Sequence, residues 1–182
     1  MEDDAPALLE YVECISGESD FLTFGPGEFE LTVAEEATFL RTCHTTENQV
    51  YLLGLIADTI VASLHFSGGR RARVQHSGEF GMSVRRANWG CGIGACMLDA
   101  LIEWARNSSM IRKVNLRVRT DNLRAIRLYT RKGFQVEGTL HQEIFLHGTS
   151  FDHSWMGLVS KACDACAHRA IRSVAFLVSI SV

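Results

Sequence analysis

A strand-like run ending in Met82-Ser83-Val84 passes through Arg85-Arg86-Ala87-Asn88-Trp89 into three glycines at alternate positions, Gly90, Gly92 and Gly94, and then into an apolar helix. Glycines at this spacing let the backbone take positive φ and approach a ligand without Cβ hindrance. The helix that follows aims its first free N–H groups into the turn, and its dipole favours an anion there. The local geometry is a phosphate cradle, and the rest of the chain must say whose phosphate it holds.

The chain has 182 residues, a length that suits one domain with a substantial core. A hydrophobic fraction of 47% and a charged fraction of 21% are those of an ordinary globular protein. The net charge of -3 argues against nucleic acid as a partner, and the short basic clusters Arg70, Arg71, Arg73 and Arg85, Arg86 suit one small polyanion better. No apolar run reaches the ~18 residues of a membrane span, and the acidic N-terminus lacks an export pattern, so no membrane partner and a cytoplasmic location are expected. In that setting Cys14, Cys43, Cys91, Cys96, Cys163 and Cys166 read as free thiols.

Helices and strands alternate without a linker. Leu8, Leu9, Val12 and Ile15 form an amphipathic stripe over residues 5–16, and Thr32-Val33-Ala34-Glu35 is a capping box opening a helix through about His44. The loop Asp20–Gly27 carries Phe21 and Phe24 and reads as a hydrophobic plug or a substrate lid, with the plug preferred. Gln49–Ile56 and Ile60–Phe66 form a hairpin, and a third strand is expected over about Ala72–Val84. The helix after the turn presents Ile93, Met97, Ala100, Leu101 and Trp104 on one stripe, as a helix buried on a sheet does. Lys113–Thr120 alternates as a strand, Asp121-Asn122 caps a short helix that ends at Gly133, and strands over Gln135–Leu146 and Ser150–Val159 close the fold.

The glycine turn alone admits a dinucleotide, a nucleoside triphosphate or coenzyme A. Gly90-x-Gly92-x-x-Ala95 meets the dinucleotide fingerprint, but three antiparallel-looking strands precede it and no acidic residue ends a strand about 20 residues later. A Walker A loop is excluded because no Gly-Lys-Ser/Thr follows. A second segment favours coenzyme A: Asn122, Ala125, Leu128, Tyr129, Gly133 and Phe134 lie within Asp121–Phe134. Together the two segments resemble motif A and the Asn-x-x-Ala-x-x-Leu-Tyr signature of the GNAT superfamily of acetyl-coenzyme A-dependent N-acetyltransferases, over about residues 5–159. Two departures stand out. Trp89 replaces the usual Gln or Arg of motif A, and the family's first edge strand has no counterpart before residue 5.

The resemblance implies an α/β (α+β) fold: a mixed, mostly antiparallel central sheet flanked by helices, with a V-shaped splay between its central strands. It implies residues 1–160 as the N-acetyltransferase domain and 161–182 as an atypical tail. Acetyl-coenzyme A would be the cosubstrate, without a metal, bound by Met82, Ser83, Val84, Trp89, Gly90, Cys91, Gly92, Ile93, Gly94, Ala95, Asn122 and Tyr129. Main-chain groups of Met82 and Val84 would pair with the pantetheine arm. The Met82 N–H would polarise the thioester carbonyl, a role typically worth ~2.7–4 kcal/mol. Tyr129 would protonate the departing thiolate. Arg85 or Arg86 would add charge at the pyrophosphate.

Glu79, on the strand leading to Met82, is either the base that deprotonates the amine through water or a solvated strand residue. Asn122 is a helix cap, a ligand contact or both. His141, His147 and His153 read as ordinary polar residues, and Cys91 as a small space-filler. The acceptor is a small-molecule amine or a protein amine. A noncatalytic acyl-coenzyme A-binding module on the same fold is the alternative function. In the tail, Cys163-x-x-Cys166-x-His168 lacks the second half of a zinc site, and Val174–Val182 reads as a sheet-edge strand, a disordered tail or a homodimer contact.

Overall fold

A computed structural model describes residues 2–160 and the backbone of 177–179. The elements run α1 (Ala5–Ser16), α2 (Val33–Thr45), β1 (Gln49–Ile56), β2 (Thr59–Gly68), β3 (Ser77–Val84), α3 (Ile93–Asn107), β4 (Lys113–Arg119), α4 (Leu123–Arg131), β5 (Gln135–Leu146), β6 (Thr149–Val159) and β7 (Leu177–Ser179). Cys163, Cys166, His168 and most of the Val174–Val182 segment lie outside the described residues. Among the described residues Cys14, Cys43, Cys91 and Cys96 are free thiols, and no helix is long and apolar enough to cross a membrane.

Local chemistry explains most boundaries. Pro6 sits in the first turn of α1, where its missing N–H is no loss, and Leu8, Tyr11, Val12 and Ile15 face inward. At α2, Glu35 N–H donates to the Thr32 hydroxyl while the Glu35 carboxylate accepts from Thr32 N–H, completing the capping box. Those backbone and hydroxyl donors hold the Glu35 carboxyl below its ordinary range. The β1–β2 hairpin turns on Ala57 and Asp58, both at positive φ, which matches the twist of the flanking strands.

The third strand is shorter than the sequence implies. It begins at Ser77, and the stretch from Arg70 to His76 folds back on itself through Val74 N–H and Gln75 N–H, both donating to Arg71 O. Asn48 pins this bend by donating from Nδ2 to Gly69 O and Gln75 O. Ala72-Arg73-Val74-Gln75-His76 offers one large apolar side chain, Val74, which is exposed, so local turn bonds prevail over strand pairing.

The sheet order is β5-β6-β4-β3-β2-β1-β7, with parallel pairs at β3–β4 and β1–β7 and antiparallel pairs elsewhere. One face carries Leu64, Phe66, Phe80, Leu116 and Met156 against Met97, Leu98 and Leu101 of α3. The other face packs Leu53 and Ile60 against Leu8, Val12, Ile15 and Leu40 of α1 and α2. Leu22, Phe24 and Phe29 pack onto this second cluster, so the loop after α1 acts as the hydrophobic plug. At the β1 edge, Leu53–Leu55 pair in parallel with Leu177–Ser179.

The centre of the sheet is open. β3 and β4 pair only at Ser77↔Lys113, Gly78↔Val114 and Glu79↔Asn115, where Asn115 Nδ2 donates to Ser77 Oγ and Gly78 O. Beyond that vertex β3 stays with β2 to Ala62↔Val84, and β4 stays with β6 to Arg119↔His153. A wedge therefore separates Phe80–Val84 from Leu116–Arg119.

Gly78 sits at this vertex, where a Cβ would collide with Ser67 O and the Phe66 ring. Gly78→Ala is expected to destabilise the fold by about 1–3 kcal/mol, measured by urea unfolding, because the nearest obstruction is backbone. An unchanged midpoint would show that the vertex can widen freely.

Candidate active site

The pleat of β3 decides which main-chain groups enter the wedge. Arg85 N–H donates to Val61 O on β2. With the observed register this turns the polar groups of Ser83, Gly81 and Glu79 toward β2, and those of Phe80, Met82 and Val84 toward the wedge. Gly78 O, which accepts from Asn115 across the β3–β4 seam, fits the same alternation. The main-chain groups of Met82 and Val84 thus line the wedge. The backbone of Ser83 faces β2, and its hydroxyl is shared by Tyr11 at 2.9 Å and Ser63 at 3.2 Å. A period of two allows only alternate residues to line one strand edge.

At the mouth of the wedge, Gly90 and Gly92 hold φ of +91° and +83°, and Gly92 is the N-cap of α3. Among the described residues nothing accepts from the N–H groups of Gly90, Cys91, Gly92, Ile93 or Gly94. Five donors without acceptors at the start of a 15-residue helix are an arrangement that suits an anion. The Ile93 side chain is buried in the core, whereas Cys91 is exposed and fills no space. Ala95 N–H is used within the turn, donating to Gly92 O. Trp89 is not a gap in the motif: its indole N–H donates to Val84 O at 2.7 Å.

Tyr129 lies on α4 beneath the wedge, 7% exposed, with its ring against Phe80 and Phe134. Its hydroxyl has no hydrogen-bond partner among the described residues, and burial pushes it up to about 12. A neutral phenol in apolar surroundings is a proton donor awaiting an acceptor. Asn122 caps α4 by accepting from Ala125 N–H through Oδ1.

On the sheet face opposite α3, Glu79 Oε1 accepts from Arg117 Nε at 2.7 Å, and Arg117 Nη1 reaches Glu143 at 3.5 Å. This chain of charges crosses β3, β4 and β5 beside the vertex. His153 is 6% exposed, its Nδ1 has no partner among the described residues, and burial pushes its imidazole below the ordinary range. His141 bonds Asp152, and His147 forms the β5–β6 turn at positive φ.

A family model described as the Acetyltransferase (GNAT) family matches residues 18–134. The chain belongs to the GNAT acetyltransferase family. It is 28% identical over 108 residues to the L-amino acid N-acetyltransferase AaaT of Escherichia coli (strain K12), spanning 59% of this chain and 67% of that protein. A GNAT acetyltransferase structure from Streptococcus pneumoniae superposes with a TM-score of 0.85 at 29% identity, covering 88% of this chain and 95% of that one. The phosphinothricin acetyltransferase of Sinorhizobium meliloti, solved with acetyl-coenzyme A, has the same fold, with a TM-score of 0.74 at 16% identity and coverage of 94% and 95%. The GNAT chain is therefore an acyltransferase.

Several site residues of this GNAT domain escaped the sequence reading. Glu18 accepts from Arg85 Nε at 2.8 Å and from Arg86 N–H at 2.6 Å, so Arg85 is occupied, whereas the Arg86 guanidinium meets no carboxylate among the described residues. Arg119, 6% exposed, donates to Asp121 and to Asp20 O and stacks on Phe151 and Phe21. The Asp121 carboxyl is held below its ordinary range chiefly by that Arg119 bond. No local pattern announces contacts separated by 67 or 99 positions. Arg124, in contrast, lies inside the Asn122–Phe134 segment and could have been named from it.

The chain's three tyrosines, Tyr11, Tyr51 and Tyr129, are all pushed up by burial, Tyr11 and Tyr129 to about 12. Unfolded tyrosine ionises near about 10, so stability is fully present below that pH and is lost as pH rises through the folded value. Tyrosinate absorbance at high pH should therefore appear together with loss of helical circular dichroism. A phenol titrating alone in the folded protein near its ordinary value would contradict the burial.

Proposed function

We propose that this chain transfers an acetyl group directly to a primary amine, with Tyr129 protonating the sulfur that leaves. Acetyl-coenzyme A supplies the acetyl group in activated form, as a thioester. The observation that carries the reading is Tyr129, a buried side chain whose hydroxyl has no partner among the described residues, beside a strand whose main-chain groups face an open wedge.

The roles follow from placement. The Met82 N–H is the fixed donor for a carbonyl oxygen, and being part of a paired strand it needs no reorganisation. The N–H groups of Gly90 to Gly94 hold phosphate. Asn122 spends Oδ1 on the α4 cap, which leaves its amide NH2 for the pantetheine arm. Glu79 receives the amine proton through water, its carboxylate oriented by Arg117.

The acceptor proposed is an amino-acid-like amine. Glu79, Arg117 and Glu143 alternate in sign across the face beside the vertex, which suits a molecule carrying both ammonium and carboxylate. The names of the Escherichia coli relative, an L-amino acid N-acetyltransferase, and of the Sinorhizobium meliloti phosphinothricin acetyltransferase point the same way.

Thiol release from acetyl-coenzyme A across a panel of amines tests this directly. Amino acids should turn over faster than amines lacking a carboxylate, and no turnover with any amine would sink the proposal. Tyr129→Phe should lower kcat by about 10²–10⁴ while acetyl-coenzyme A still binds, the range for loss of a general acid.

A further inference from the structure

The glycine turn carries a side-chain cluster whose two guanidiniums meet no carboxylate among the described residues. The Arg124 guanidinium lies 5.1 Å from the centre of the Trp89 ring, and that of Arg86 lies 6.0 Å from it. Among the described residues neither guanidinium meets a carboxylate, unlike Arg85, which Glu18 holds. Arg124 also overhangs the cradle: its Nη2 stands 3.9 Å from where a Cβ on Gly90 would be. Trp89 is 38% exposed, and its indole N–H is anchored to Val84 O at the end of β3.

We propose that Trp89 is a positioning residue that holds Arg124 and Arg86 over the Gly90–Gly94 cradle, where the two guanidiniums bind the pyrophosphate of the acyl donor. The inference rests on the acetyl-coenzyme A reading above and adds the residues that neutralise the anion. The physical case is charge complementarity. Backbone N–H groups supply directional bonds and only partial positive charge, whereas a pyrophosphate brings full negative charges that two unspent guanidiniums balance. An aromatic face restrains a guanidinium without consuming its N–H donors, so the fork remains available to phosphate. The Val84 tether fixes the ring, and the ring fixes the arginines. In this chain a stacked Trp thus does at Trp89 what a charged or amide side chain does in the usual motif, by way of its neighbours.

Calorimetric titration with coenzyme A tests this without any knowledge of the acceptor. Arg124→Gln is expected to raise Kd about tenfold or more, as loss of a charge-assisted bond does. Trp89→Ala should raise it about three- to fivefold, the size of a lost cation–π contact, and Trp89→Phe, which keeps a ring, should recover most of that. The double variant Trp89→Ala/Arg124→Gln should lose less than the sum of the two single variants, because part of what the ring does passes through Arg124 and only the Arg86 part remains to be lost. An additive double variant, or a Trp89→Ala protein that binds like the native one, overturns the proposal. Melting temperatures measured in parallel expose a variant that weakens binding by unfolding. Failure of the native chain to bind coenzyme A would instead refute the acetyl-coenzyme A reading itself.

Discussion

Everything at this site depends on a pairing that stops. β3 and β4 run side by side for three residue pairs and then part, which leaves the inward polar groups of Phe80, Met82 and Val84 without a strand to bond. Unpaired backbone groups in a sheet interior are costly, so a fold retains them only where something else satisfies them. Here Trp89 satisfies Val84 O, and the remaining groups form a strand edge that an extended, amide-bearing ligand can complete. The opening persists because each strand has a committed partner on its far side, β2 for β3 and β6 for β4. Asn115 fixes the point of departure by bonding both Ser77 and Gly78 across the seam.

Division of labour between the two faces of the sheet follows from the same parting. The face under α3 supplies the apolar bed, with Phe80, Phe134 and Tyr129 ring to ring. The opposite face carries Glu79, Arg117, Glu143 and His153. In the proposed reaction a donor threaded through the wedge would meet an apolar side with the Tyr129 phenol below and a charged side above. Acyl transfer needs that asymmetry, since the leaving sulfur requires a proton and the attacking amine must lose one.

Much of this was legible from residues alone, because the informative signals are local. The capping box at Thr32, the alternation of Lys113–Arg119, the glycine turn and the Asn122–Phe134 segment each declare their structure within a short local stretch. The third strand starts later than the sequence suggests because the bend there depends on Asn48, more than 20 positions upstream. A motif names a run of residues, whereas a pleat turns alternate main-chain groups to one edge, so Met82 and Val84 line the wedge while Ser83 faces β2. Glu18 and Arg119 were invisible for a simpler reason: their partners are fixed by tertiary structure alone.

The Glu18 and Asp20 contacts bear on how a long molecule gets in and out. Glu18 is fastened to Arg85 and Arg86 at the free end of β3, and Asp20 O with the Phe21 ring is fastened to Arg119 at the free end of β4. A span of three residues therefore ties together the two tips that the sheet leaves apart, like a drawstring across an open collar. Any fluctuation that spreads the tips must first break ionic and stacking contacts on both sides of that span. In the proposed reaction a spent carrier leaving past the two tips would meet this tie, at a place remote from the reacting atoms.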